Sequence, residues 1–217
     1  MAEDAPEDNM PRGSEKLTQA RREEIISACA KLYETMSYKD ITIKDIAKET
    51  SFTRSSIYNY FATKEEIFLA LLRKEYEQWV SELSALRAEA EPGNAEAFAE
   101  GLARTLEQRS RMLKIMTMNI YDMEANSRPE QLAEMKGAFG QTLRAVEACL
   151  AAYFPGLEEA QREAFVYAFF PFVYGIHPYA IVSDKQRQAM ELAGVPFRYH
   201  SIYELARTCI LKLLPRV

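Results

Sequence analysis

Apolar residues recur at helical spacing almost from one end of the chain to the other. From Thr18 to Met36 they fall at Ile25, Cys29, Leu32, Tyr33 and Met36, with Ile26 beside them. A short insert, Ser37 to Asp40, interrupts the pattern. Thr42 can then cap a helix from Ile43 to Thr50, with Asp45 three residues on as an acidic capping partner. After Ser51-Phe52, Thr53 can cap a second short helix running through Tyr60. Ala62-Thr63 breaks the pattern again. Thr63 with Glu66 has the form of a capping box and predicts a long helix to about Glu89.

The remainder reads the same way. Glu91-Pro92-Gly93 is a stop, and Asn94 caps a helix to about Arg109. Another helix is predicted from Arg111 to about Ala125, and Ser127-Arg128-Pro129 starts a long one ending at Tyr153. Beyond Phe154-Pro155-Gly156 comes an apolar helix over Glu158–Val182, then a short one from Asp184 to Ala193 stopped by Gly194, with Pro196 beyond. Ser201–Leu214 is the last. With roughly ten helices and no convincing strand, the predicted class is all-α, without internal repeats.

The apolar helix needs a membrane test, because Ala164 to Ser183 contains no Asp, Glu, Lys or Arg. As a helix it would span about 30 Å, the thickness of a bilayer core. It also holds Pro171, Pro178, Gly175, His177 and three tyrosines, and charged amphipathic helices surround it. A helix buried on most of its circumference, by its own core and by a partner, fits better. Pro171 and Pro178 are expected to kink or break it.

Composition adds limits. A chain of 217 residues, 48% apolar and 27% charged, can bury a core without a metal or disulfide staple. The three cysteines, Cys29, Cys149 and Cys209, are odd in number and form no CxxC pair, which predicts reduced thiols in a cytoplasmic protein. Two histidines and no cysteine cluster argue against a zinc site, and no cofactor motif is present. Residues 1–16 read as a disordered acidic tail rather than a signal peptide.

Net charge is −5, yet residues 16–64 hold nine Lys/Arg against six Asp/Glu, or +3, which leaves −8 for the rest. A mildly basic segment on an acidic body suits phosphate contact by one end only.

Two short helices joined by a tight turn after a longer first helix are the geometry of a helix-turn-helix. Its second helix must enter a major groove about 12 Å wide and offer polar side chains there. Residues 53–60 do so: Arg54, Ser55, Ser56 and Asn59 suit bases and phosphates, and Tyr58 and Tyr60 can stack on sugars or donate to phosphate. Ile57 and Phe61 would anchor the helix. Helix N-termini also favour phosphate, which applies at Thr42, Thr53 and Thr63 with Lys64. Lys44 and Lys48, four residues apart, are equally readable as a solvated face.

Thr42 through Leu72 resembles the signature of the tetracycline-repressor (TetR) type of transcriptional regulators. The matching positions are Thr42, Ile46-Ala47, Ile57-Tyr58-Asn59-Tyr60-Phe61 and Thr63-Lys64-Glu65-Glu66, within a similarity that spans residues 18–72. The resemblance implies a three-helix DNA-binding domain at 17–64, with the helix-turn-helix proper at about 42–61. It implies a linking helix at 63–89 and an effector-binding and dimerisation domain at 65–217. Carried over by position, it implies DNA contacts from Thr42, Lys44, Thr53, Arg54, Ser55, Ser56, Tyr58, Asn59, Tyr60 and Lys64. The sequence departs from the family where Ser51-Phe52 replaces a frequent Gly-Val, and where Ser55 replaces a frequent Gly. If Ser51 took positive φ, the cost would be on the order of 1 kcal/mol.

The resemblance further implies a homodimer formed by the last two long helices, here with Phe165, Phe169, Phe170, Phe172, Leu205, Ile210 and Leu213 as candidate interface. It implies a ligand pocket between DNA domain and dimer helices, with Trp79, Met112, Met116, Tyr121, Met135, Phe139, Tyr174 and His177 as candidate lining. Each of these is also a plausible core residue. The expected function is a sequence-specific regulator, a repressor by family habit, that binds a palindromic operator of double-stranded DNA. A small apolar or aromatic effector would release it. An enzyme is disfavoured, since GxSxG, GxxxxGK[ST], GxGxxG and HExxH motifs are absent, and Glu158 and Glu159 splay apart on a helix. The alternative is a helical interaction or sensor module that no longer binds DNA, its Ser51-Phe52 turn being the hint.

Overall fold

In the computed structural model, residues 12–118 and 120–215 are described. They form eleven helices and, among those residues, no strand. In order these are α1 (Arg12–Thr35), α2 (Ile43–Lys48), α3 (Arg54–Ile57), α4 (Lys64–Ala88), α5 (Ala95–Glu107), α6 (Ser110–Met116), α7 (Ile120–Ala125), α8 (Pro129–Tyr153), α9 (Glu159–Ala180), α10 (Asp184–Leu192) and α11 (Ile202–Leu213).

Local chemistry sets the starts. Thr42, Thr53 and Thr63 each sit in extended backbone and accept the N–H three residues on, capping α2, α3 and α4. Asn94, Ser183 and Ser201 likewise accept the N–H three residues on and cap α5, α10 and α11. Gly194, at φ +64°, ends α10 in a left-handed turn that an L side chain adopts only with strain.

α1 to α3 close over a small core of Ile25, Cys29, Tyr33, Ile41, Ile46, Ile57 and Phe61, all buried. Phe68 of α4 enters the same core, meeting Tyr33 edge-on at 5.1 Å and Tyr38 at 4.9 Å between ring centroids. α4 then runs 25 residues out of this head and packs along α8 in the body. α9 packs on α11, α6 and α8, and α5 lies on α11.

Several expectations need correction. α1 begins at Arg12, so residues 12–16 of the expected tail are helical, and residues 1–11 lie outside the described residues. The predicted helix 111–125 is two helices, α6 and α7, broken after Met116. α3 ends at Ile57, and turns rather than helix carry the chain through Tyr60. Ser51 does not take positive φ. Its N–H donates to Glu24 Oε1 at 2.6 Å and its hydroxyl to Glu24 Oε2 at 3.2 Å, so α1 holds the turn.

Pro171 and Pro178 do not break α9, which is continuous from Glu159 to Ala180. Both prolines lie on its exposed side. The ladder bonds they forfeit lie away from the core, while Phe165, Phe169, Val173 and Ile176 hold the opposite face in it. No single helix among the described residues is long and apolar enough to cross a membrane.

Candidate DNA-contact face and its connection to the body

α2 and α3 bury one side each and leave a polar side open. Ile46 and Ile57 point into the core, whereas Thr42, Lys44, Thr53, Arg54, Ser55, Tyr58 and Asn59 are exposed and Ser56 is half-buried. Thr53 Oγ1 lies 2.9 Å from both the Ser55 and the Ser56 hydroxyls, a compact cluster at the start of α3. Arg54 donates to Tyr58 Oη at 3.2 Å, and its guanidinium sits 5.8 Å from that ring. The pair presents charge and aromatic edge together, a combination suited to phosphate and sugar.

The cations of this end are not equivalent. Lys48 pairs with Asp45 at 2.8 Å and Lys31 with Glu49 at 2.5 Å. The Lys48 ammonium and the Thr42 hydroxyl together hold the Asp45 carboxyl down at about 2. Lys44 is exposed and has no ion-pair partner among the described residues. Lys64, expected at a phosphate, is half-buried. Its ammonium donates to the Tyr38 carbonyl at 2.8 Å and lies 4.2 Å from the centre of the Tyr38 ring. It closes α4 onto the loop after α1. Tyr60, also expected at DNA, is half-buried, and its hydroxyl accepts from Arg21 at 3.0 Å.

Arg21 and Arg22 were legible in the sequence only as part of a charge count. Arg21 bridges Tyr60 and the face of Phe52, 5.8 Å from its centroid. Arg22 covers Phe61 at 4.6 Å, donates to the Tyr60 carbonyl, and reaches Gln131 Oε1 of α8 at 2.9 Å.

Three further residue pairs join the head to the body. The Glu66 carboxylate is fully buried and accepts from Ala62 N–H at 2.8 Å, Arg128 N–H at 3.0 Å, and Arg128 Nε and a terminal guanidinium nitrogen at 2.7 Å each. Burial would raise its pKa, but these donors outweigh burial and hold it below the usual carboxylate range. Glu66 was expected to close a reciprocal capping box with Thr63; the carboxylate turns instead to Ala62 and Arg128. Thr63 Oγ1 donates to the Asn126 carbonyl at 2.8 Å, and Lys114 of α6 donates to the Tyr33 carbonyl of α1 at 2.9 Å.

In the body, the expected pocket residues are mostly packed together. Tyr76 and Tyr174 hydroxyls lie 3.3 Å apart, Phe139 meets Tyr76, Phe170 and Tyr174, and Trp79 meets Phe170. Trp79 donates to Thr105 Oγ1 at 2.9 Å. Met112, Met116 and Met135 are buried nearby, and burial, with Lys114 adding, lowers the His177 pKa. Tyr121 is 78% exposed on α7 and lines no interior. A cavity of about 680 Å³ opens at the far end of the body, bordered by Pro92, Tyr153, Phe154, Leu157 and Leu214. None of the expected lining residues touches it.

Sequence comparison places this architecture. The profile of the tetracyclin repressor-like C-terminal domain matches residues 73–198, more than half of the chain, and that of the bacterial regulatory proteins of the tetR family matches residues 25–71. The chain belongs to the TetR family. It is 35% identical over 68 residues to the HTH-type transcriptional regulator HbdR of Aromatoleum sp. (strain CIB), a match spanning 31% of this chain and 30% of HbdR. The fold is similar to that of the fatty acid degradation regulator FadR from Bacillus halodurans, at a TM-score of 0.57 and 15% identity, covering 89% of this chain and 94% of that one. FadR from Bacillus subtilis, solved with stearoyl-CoA, is similar at a TM-score of 0.53 and 16% identity, covering 88% and 96%.

Members of the TetR family are DNA-binding transcriptional regulators rather than enzymes. The interface residues expected from that resemblance need revision. Phe165, Phe169, Phe170 and Ile210 are buried within the monomer, with Phe165 against Phe98 and Phe170 against Trp79 and Phe139, and leave no surface for a second subunit. Phe172, Leu205 and Leu213 are half-buried beside a groove between α9 and α11. On the same open side of α9 stand Tyr167, 71% exposed, with Ala164, Ala168, Pro171 and Tyr179.

Proposed function

We propose that this chain binds a palindromic operator as a homodimer and leaves it when a small apolar or aromatic effector enters the body. The observation that carries the reading is the open polar side of α2 and α3. Thr42, Lys44, Thr53, Arg54, Ser55, Ser56, Tyr58 and Asn59 stand on it, over helices pinned from beneath by Ile46, Ile57 and Phe61. Arg54 and the hydroxyl cluster read bases and adjacent phosphates, Tyr58 lies against the backbone, and Lys44 neutralises a phosphate. Tyr60 and Lys64 position this face: one is held by Arg21, the other by Tyr38.

One helix-turn-helix reads too few base pairs for specificity, so two copies are needed across a two-fold axis. The open side of α9 with the neighbouring edge of α11 is apolar and continuous, and it supplies the dimer face through Tyr167, Ala168, Pro171, Phe172, Leu205 and Leu213. The effector enters between α4, α6, α8 and α9 by separating the aromatic cluster. The Tyr76 and Tyr174 hydroxyls there offer the polar handle, and the methionines adapt to the ligand's shape.

Retention on double-stranded DNA, eluted by rising salt, tests the reading. The wild-type chain is expected to be retained and to elute earlier after Arg54→Ala. A chain that passes unretained at low salt is the module without DNA binding, and contradicts the proposal.

A further inference from the structure

Residues 181–200, between α9 and α11, pack unlike the rest of the protein. None of them is buried, and α10 contributes nothing to the core. α10 leaves α9 at an angle of 81° and projects from the body. Yet the segment leaves large apolar side chains open: Leu192 is 83% exposed, and Ile181, Val195 and Phe197 are exposed as well. It is also internally ordered. Ser183 caps α10, Gly194 ends it, Arg187 lies 4.3 Å from the Tyr199 ring centre, and Phe197 packs edge-on against Tyr199 at 5.0 Å. A built arm with bare apolar side chains is an interaction surface without its partner.

We infer that this arm embraces a second copy of the chain, docking on the groove between that copy's α8 and α9. The inference rests on the homodimer proposed above and deepens it. Two observations select this occupant. The arm begins at Tyr179 and Ile181, where the apolar side of α9 ends, so it continues the dimer face rather than founding another. The groove also complements the arm. Leu143, Val166 and Tyr167 give it apolar lining, and Arg144, Glu147, Glu159 and Glu163, which also line it, sum to a net charge of −2. From 183 to 199 the arm carries Lys185, Arg187 and Arg198 against Asp184 and Glu191, a net +1. Apolar contact supplies the adhesion, and the charges select the register.

Sedimentation of the full chain over a range of concentrations tests it. Leu192→Asp with Val195→Asp changes exposed side chains only, so the thermal melt of a dilute sample should keep its shape while the dimer dissociation constant rises about tenfold or more. Lys185→Glu with Arg198→Glu should weaken the dimer as well. Adding Glu159→Lys with Glu163→Lys to that variant should restore it. Unchanged dissociation in both arm variants overturns the arm's role while leaving the dimer intact. Weakening without restoration by the paired reversal overturns the groove as its seat. A wild-type chain that stays monomeric throughout overturns the dimer itself, and the arm's role with it.

Discussion

Arg128 holds the buried carboxylate of Glu66 with its Nε and a terminal guanidinium nitrogen, at 2.7 Å each, and adds its own backbone N–H at 3.0 Å. Glu66 stands in the first turn of α4, and Arg128 is the residue from which α8 starts. The hinge of the reading head is thereby tied to the loop between α7 and α8. An effector that shifted α6 to α8, as proposed above, would act on the head through this pair, together with Thr63–Asn126, Arg22–Gln131 and Lys114–Tyr33.

Glu66→Ala should therefore destabilise the protein by on the order of 2–3 kcal/mol, because the Ala62 and Arg128 N–H groups lose a buried acceptor. Thermal unfolding reads the stability. DNA titration with and without effector reads the coupling, and the variant should respond to effector less than the wild type.

The same pair sets a pH dependence. The Glu66 pKa is held below its ordinary 4.5, so its contribution is complete above that pH and is lost as pH falls through the lowered value. Arg128→Ala removes the two guanidinium donors and leaves the Ala62 and residue-128 N–H groups in place. The Glu66 pKa should then lie higher than in the wild type, and the stability lost on acidification should be smaller. Unfolding midpoints measured through the acid range check that reduction.

The two lysines flanking the reading face should separate cleanly. Lys44→Ala should lower the slope of log affinity against log salt by about one, the loss of one phosphate contact. Lys64→Met should leave that slope unchanged and lower the melting temperature, since its ammonium serves Tyr38.

His177 gives a prediction within the mild acid range. Burial, with Lys114 adding, lowers its folded pKa below the ordinary 6.5. The neutral imidazole favours the fold, so stability is full above 6.5 and declines as pH falls from there toward the folded value. His177→Asn should flatten that decline in unfolding midpoints measured between pH 7 and 5.

What the sequence made legible was local. Thr42, Thr53 and Thr63 announce helix starts because a cap is written in four consecutive residues, and Ile46, Ile57 and Phe61 announce the buried side by their spacing. Distant partners left no such trace. The Thr63–Glu66 spacing says nothing of Arg128, which lies 62 residues from Glu66 and takes its carboxylate. Lys64 follows a cap, and nothing in that local pattern announces its contact with Tyr38.

α9 shows the limit most plainly. It is apolar around nearly its whole circumference, so periodicity cannot distinguish the stripe facing the core from the one facing a partner. Phe165, Phe169 and Phe170 went inward, and the smaller Ala164, Ala168 and Pro171 were left outside with Tyr167. The expected break at the prolines fails for the same reason, because their cost depends on which side of the helix carries them.

Two copies of the α2–α3 face are proposed to read one operator, and selection of bound sequences from a random double-stranded DNA library at two salt concentrations decides it. A two-fold-symmetric motif whose binding weakens steeply with salt should be enriched. That enrichment should be lost with Tyr58→Ala and Arg54→Ala together. Enrichment of no motif by the effector-free chain, or of one with no symmetry, would contradict the proposal.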